Sequence, residues 1–182
     1  MSVKHQMKFF YVLLLVVVLA VPYGIHKFGF FQAPDNKENS VAVQLSPSTV
    51  FFDEAGQKMT LDAFKGKYVL INLWATWCPP CVVELPSLDN LQAKLKDKNF
   101  QVVAISMDRS DMATIMSFLQ KRGIERLQPY WDKERQISMQ WKYDGLPVSF
   151  LVDPDGNVLK SYEGSSTWDK GPLLDEITSY LK

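Results

Sequence analysis

Cys78 and Cys81 stand in the run Trp74-Ala75-Thr76-Trp77-Cys78-Pro79-Pro80-Cys81, directly after the apolar stretch Tyr68-Val69-Leu70-Ile71-Asn72-Leu73, and are the only cysteines of the 182-residue chain. A Cys-x-x-Cys pair whose first thiol opens a helix can cycle between dithiol and disulfide, because the free N–H groups of the first helical turn stabilise an attacking thiolate. A tetrahedral structural zinc site needs four ligands. Both histidines, His5 and His26, lie far upstream, so one chain cannot close such a site. Two blander readings stay open: a zinc shared between two chains, and an inert structural disulfide. The helix-opening context argues against the first. Against the second stand the small entropic gain from closing so short a loop and the flanking tryptophans and prolines it would leave unexplained.

The elements that must position this pair follow from the hydrophobic pattern. Val50–Phe52 and Gln57–Leu61 read as a short hairpin with Gly56 at the turn position that favours positive φ, and a brief turn follows around Asp62–Phe64. Gly66-Lys67 then lead into Tyr68–Leu73, apolar enough for a strand buried on both faces of a sheet. Helical spacing begins at the cysteines, with Leu85, Leu88, Leu91 and Leu95 on one stripe and Pro86 predicted to kink it. Gln101–Met107 is a second buried strand. Asp111 caps a helix carrying Met112, Ile115, Met116 and Leu119, which Gly123 ends. The methionines match that helix's apolar face and read as core rather than as a copper-binding stripe. A short strand at Gln128–Trp131, a short helix at Glu134–Trp141, and a hairpin of Val148–Val152 with Val158–Tyr162 around Asp153-Pro154-Asp155-Gly156-Asn157 come next. A last helix is predicted over Thr167–Leu181, with Leu174, Ile177 and Leu181 facing inward. Strands alternating with helices and closing in a hairpin imply an α/β fold, a mixed central sheet with helices on both faces.

Ahead of this domain, Lys4 and Lys8 precede the uncharged run from Phe9 to Ile25, and Lys27 follows it. Residues 1–27 read as a signal-anchor, the basic start staying in the cytoplasm and everything after Lys27 crossing the membrane. Val18-Leu19-Ala20 offers a small residue for a signal peptidase but no clean Ala-x-Ala motif, so an uncleaved single-pass anchor is the preferred reading. Three of the 20 basic residues lie in that segment, leaving 17 against 20 acidic ones in residues 28–182, a net of −3. Such a balance provides no basic field for nucleic acid. Residues 28–45 read as a flexible linker, polar and without period from Gln32 onward, and residues 46–182 as one compact domain.

The chain resembles the membrane-tethered thiol:disulfide oxidoreductases of the TlpA, ResA and CcmG type, on the thioredoxin fold with an N-terminal hairpin and a central strand-helix insertion. The resemblance covers roughly residues 46–182. It rests on Gly66-Lys67, the run Trp74–Cys81, Glu84-Leu85-Pro86, the segment between Met107 and Gly145, and Gly145-Leu146-Pro147 before Val148–Asp153. It implies that Cys78 is the exposed nucleophile at a helix N-cap, where partial positive charge lowers a thiol pKa, and that Cys81 is the resolving thiol. Pro79 and Pro80 fit the first helical turn but lack donors, leaving the Cys81 N–H as a main candidate to stabilise the thiolate. The resemblance further implies a cis Leu146-Pro147 bond facing the disulfide, with Leu146 presenting extended backbone to a client peptide. Trp77 is expected to shield the sulfur and supply an apolar docking face, whereas Trp74 reads as core. Glu84 is either an ordinary solvated carboxylate or, as the resemblance implies, an acid near the cysteines that tunes their protonation. Three departures stand out. The buried aspartate of thioredoxin falls at Asn72, Val148 follows the proline where the family often has threonine, and Tyr143 replaces a smaller apolar residue.

The expected function is therefore an extracytoplasmic thiol:disulfide oxidoreductase that reduces client disulfides. It would sit in the cytoplasmic membrane with its domain facing the periplasm or an equivalent space. It needs no cofactor or metal beyond the Cys78/Cys81 pair. The resemblance suggests apocytochrome c or a copper-assembly protein as clients and a membrane electron donor of the DsbD/CcdA type. A dithiol oxidase that donates disulfides is the alternative within enzymes. A copper metallochaperone is the alternative of another class, weakened because no histidine follows His26.

Overall fold

The computed structural model describes residues 45–181. The expected anchor at 1–27 and nearly all of the linker at 28–45 lie outside the described residues. Among the described residues no helix is long and apolar enough to cross a membrane. The elements in chain order are β1 (Phe51–Phe52), β2 (Lys58–Met59), a 3-10 turn (Leu61–Phe64), β3 (Tyr68–Trp74), α1 (Pro79–Leu95), β4 (Phe100–Ser106), α2 (Met112–Gln120), β5 (Pro129–Trp131), α3 (Gln136–Gln140), β6 (Val148–Val152), β7 (Val158–Glu163) and α4 (Gly171–Tyr180).

The strands form one seven-stranded sheet in the order β2-β1-β5-β4-β3-β6-β7. The central β3 pairs in parallel with β4, from Tyr68 opposite Phe100 to Trp74 opposite Ser106, and antiparallel with β6, from Val69 opposite Val152 to Leu73 opposite Val148. A strand with partners on both sides and cover on both faces has no solvent-facing register, which explains the unbroken apolar run. The period of two sorts its side chains. Leu70 and Trp74 join Leu85, Leu88, Leu91 and Leu95 of α1, Ile115 and Leu119 of α2 and Ile177 of α4 on one face. Val69, Ile71 and Leu73 join Phe51, Phe64, Tyr130, Ile137, Trp141 and Phe150 on the other. Asn72 shares the parity of Leu70 and Trp74, so it points toward α1.

Two expectations need correction. Met116 is 42 % exposed, because Ile115 and Leu119 fill that helix's inward stripe; Met112, partly buried, does pack against the core. The last helix begins at Gly171 rather than Thr167. Residues 165–168 are irregular: the Ser166 N–H donates to the buried Glu84 carboxylate of α1 and the Trp168 N–H to Ser87 Oγ, and a helix there would require those groups to turn elsewhere. Helix α1 continues through Pro86. The carbonyl of Glu84 near that point accepts from Ser87 Oγ at 2.8 Å.

Candidate active site

Cys78 and Cys81 form a disulfide at the start of α1. The strand-to-helix passage is short: the Cys78 N–H donates to the Ala75 carbonyl at 3.2 Å, closing a turn with Thr76 and Trp77 at its corners. Cys78 is the N-cap residue, Pro79 and Pro80 occupy the first two helical positions, and the Cys81 N–H points at Cys78 Sγ at 3.3 Å. Two prolines in a row leave few free donors at this helix start, so that one N–H carries much of the local positive potential.

Burial departs from expectation. Cys78 is only 4 % exposed and Cys81 fully covered, while Trp77 beside them is 65 % exposed. The indole stands in solvent with Pro79, Pro80 and Val83 exposed nearby in sequence, an apolar rim around a nearly closed disulfide. The expected exposed sulfur is thus a mostly covered one in the oxidised chain. The Leu146–Pro147 peptide is cis. Leu146 is half-buried and Pro147 buried, directly ahead of Val148 in β6, and β6 lies beside β3.

Glu84 lies one helical turn beyond Cys81 and is 1 % exposed. Its Oε1 accepts from Asn72 Nδ2 at 2.9 Å, and its Oε2 accepts from the Ser166 N–H and from Trp168 Nε1, each at 2.9 Å. No cation is among these partners. Burial pushes the carboxyl above its ordinary 4.5, and the three hydrogen bonds, that from Trp168 foremost, offset only part of this. Asn72 is itself fully buried and donates its second amide hydrogen to Ser149 Oγ at 2.9 Å. Trp168, also fully buried, packs edge-on against Tyr162 with ring centroids 5.2 Å apart. The solvated-carboxylate reading of Glu84 is thereby overturned. An open groove of about 650 Å³ that includes Lys67, Lys96 and Arg126 lies toward the opposite strand ends, away from the cysteines.

The family profile described as Redoxin matches residues 33–177. The chain belongs to the Redoxin family. It is 32 % identical to the thiol-disulfide oxidoreductase ResA of Bacillus anthracis over 179 residues, covering 98 % of this chain and 96 % of that one. It is 32 % identical to ResA of Bacillus subtilis (strain 168) over 155 residues, covering 85 % and 83 %. Among solved structures it is similar to a Chlorobium tepidum chain assigned as a thiol:disulfide interchange protein DsbE. That match has TM-score 0.64 and 31 % identity, covering 73 % of this chain and 92 % of the other. This Redoxin is a thiol-disulfide oxidoreductase, and its substrates are proteins that carry disulfides. The thioredoxin-like fold expected from the sequence is the one found.

Sequence reasoning missed how this Redoxin surrounds Glu84. Asn72, which stands where thioredoxin has a buried aspartate, is a donor to Glu84. Trp168 and Ser166 were assigned to, or just before, a helix. One signal was available: an isolated tryptophan in the polar stretch Ser165-Ser166-Thr167-Trp168-Asp169, where a buried indole needs an acceptor.

Proposed function

We propose that Cys78 is the attacking thiol, Cys81 the resolving thiol and Glu84 the group that exchanges protons with them, in a chain that works as a reductant outside the cytoplasm. The observation that carries this reading is a disulfide at a helix start with a buried, cation-free carboxyl one turn behind it. In the reduced chain the Cys78 thiolate attacks a client disulfide, forming one S–S bond and releasing one client thiolate. The Cys81 thiolate then attacks Cys78 Sγ, releasing the second client thiolate and closing Cys78–Cys81, so two electrons pass to the client. Cys81 must lose a proton in that second step. Glu84 sits on the same helix face, and its raised affinity for protons suits it to accept one.

Trp77, Pro79 and Pro80 form the docking rim, and Leu146 ahead of Pro147 offers backbone for an added client strand. Residues 1–27 anchor the chain in the cytoplasmic membrane, with residues 46–182 on the periplasmic or equivalent side. There a membrane electron donor of the DsbD/CcdA type restores the dithiol. Apocytochrome c or a copper-assembly protein is the client class. Selective docking is what such a reductase needs, since an oxidising compartment would otherwise exhaust its dithiol on unrelated disulfides.

The deciding experiment is the reduction potential of the full-length chain against glutathione. A value near the about −270 mV of thioredoxin supports the reductase reading, whereas one near about −120 mV would make the chain a donor of disulfides.

A further inference from the structure

Asp108 is a second buried carboxylate near the cysteines, 6 % exposed, and the thiol chemistry above leaves it unused. Its place follows from the sheet. β3 ends at Trp74 and β4 at Ser106, and the two residues are partners in a parallel pair. Both chains therefore leave the sheet at the same edge. Two residues beyond these ends stand Thr76 and Asp108. Asp108 Oδ2 accepts from the Thr76 N–H at 3.0 Å and from Ser106 Oγ at 2.6 Å, and Oδ1 accepts from Thr76 Oγ1 at 2.6 Å. The aspartate's own main chain is fixed as well. Its N–H donates to Ser106 Oγ at 3.1 Å and its carbonyl accepts from Trp131 Nε1 at 2.9 Å.

Thr76 is a corner of the turn closed by the Cys78 N–H on the Ala75 carbonyl. Fastening that corner by backbone and side chain together fixes both residues that follow: Trp77, held out in solvent, and Cys78, whose N-cap conformation puts its Sγ within 3.3 Å of the Cys81 N–H. We propose that Asp108 is a positioning residue for thiol exchange, acting through Thr76 to set the place of Cys78 Sγ and of the Trp77 face. The proposal rests on Cys78 being the nucleophile. A carboxylate is needed because three donors converge on its two oxygens. An asparagine offers one acceptor oxygen and turns an N–H toward at least one of those donors.

The test uses full-length chains carrying Cys81→Ser, with oxidised glutathione as the disulfide probe. Attack by the Cys78 thiolate gives a Cys78–glutathione mixed disulfide and one glutathione thiolate, which mass spectrometry follows in time. Asp108→Asn and Thr76→Val are each expected to slow this step about tenfold, since small displacements of a reacting group are costly. The double variant is expected to be no slower than either alone, because both changes break one linkage. Thr76→Ser, which keeps the hydroxyl, is expected to react at the parental rate. Parental rates in both single variants, or effects that multiply in the double variant, would overturn the proposal even if the melting temperature falls. Should Asp108→Asn fail to fold, the Thr76→Val and Thr76→Ser pair still decides: equal rates for the two would overturn it. A parent that forms no mixed disulfide at Cys78 would overturn the nucleophile assignment itself, and this shows before any Asp108 variant is compared.

Discussion

Helix α1 buries two carboxylates five positions apart, and they are treated in opposite ways. Glu84, at 1 % exposure, receives an amide hydrogen of Asn72, the Ser166 N–H and the Trp168 indole N–H, all neutral donors. Asp89, at 3 % exposure, receives the N–H groups of Glu125, Arg126 and Leu127 and, at 2.9 Å, the Arg126 guanidinium. A buried carboxylate met by a full positive charge and a row of N–H donors works as a latch, here between α1 and the loop after α2. One met only by neutral donors can take up a proton at modest cost. The missing cation, rather than burial itself, separates the chemical end of α1 from its structural middle.

The largest expected effect lies in the chemical end. Cys78→Ser is expected to abolish mixed disulfides with clients, while Cys81→Ser accumulates them, read on non-reducing gels. Equal trapping by both variants would reverse the assignment of the two thiols. Asp89→Ala is expected to leave that trapping pattern intact and to cost about 3 kcal/mol in denaturant unfolding, because several buried N–H groups lose their acceptor. A loss below about 1 kcal/mol would mean that water replaces the latch.

Glu84→Gln sharpens the comparison through pH. Because the folded-state carboxyl binds its proton more tightly than the ordinary 4.5, the native state holds more protons than the unfolded one over the window above that value. Stability of the oxidised chain therefore falls as pH rises through the window. Glu84→Gln is expected to flatten that fall in unfolding curves taken across the range, and an unchanged slope would remove Glu84 as its source. In the reduced chain the same variant takes a negative charge away from the thiols and is expected to lower their titration midpoint. The smallest effect belongs to Trp168→Phe. It deletes one donor to Glu84 at about 1 kcal/mol and steepens the same pH dependence; a flatter curve would contradict the role given to the indole.

Much of the fold was legible because its signals are local. The run Tyr68–Leu73 and the stripe of Leu85, Leu88, Leu91 and Leu95 report strand and helix directly. Gly56, at φ 77°, sits where its turn needs a residue free of Cβ strain. The start of α4 was misread for the opposite reason. Thr167 to Lys170 have no strong local preference, and the Ser166 N–H and Trp168 indole on either side of Thr167 answer to Glu84, more than 80 positions earlier in the chain. Met116 was misplaced because helical period gives a stripe but not its edges.

The spacing of two cysteines after a buried strand, with prolines in the first helical turn, determined by itself that this chain carries a cysteine pair at a helix start. It also determined that the supporting sheet is mixed α/β. Only tertiary structure decided the surroundings of that pair: that Cys78 is nearly covered while Trp77 is not, that Asn72 and Trp168 converge on Glu84, and that Asp108 reaches Thr76. Strand and helix periodicity are written in neighbouring residues, whereas the burial and partners of a charged group depend on segments brought together only by the sheet.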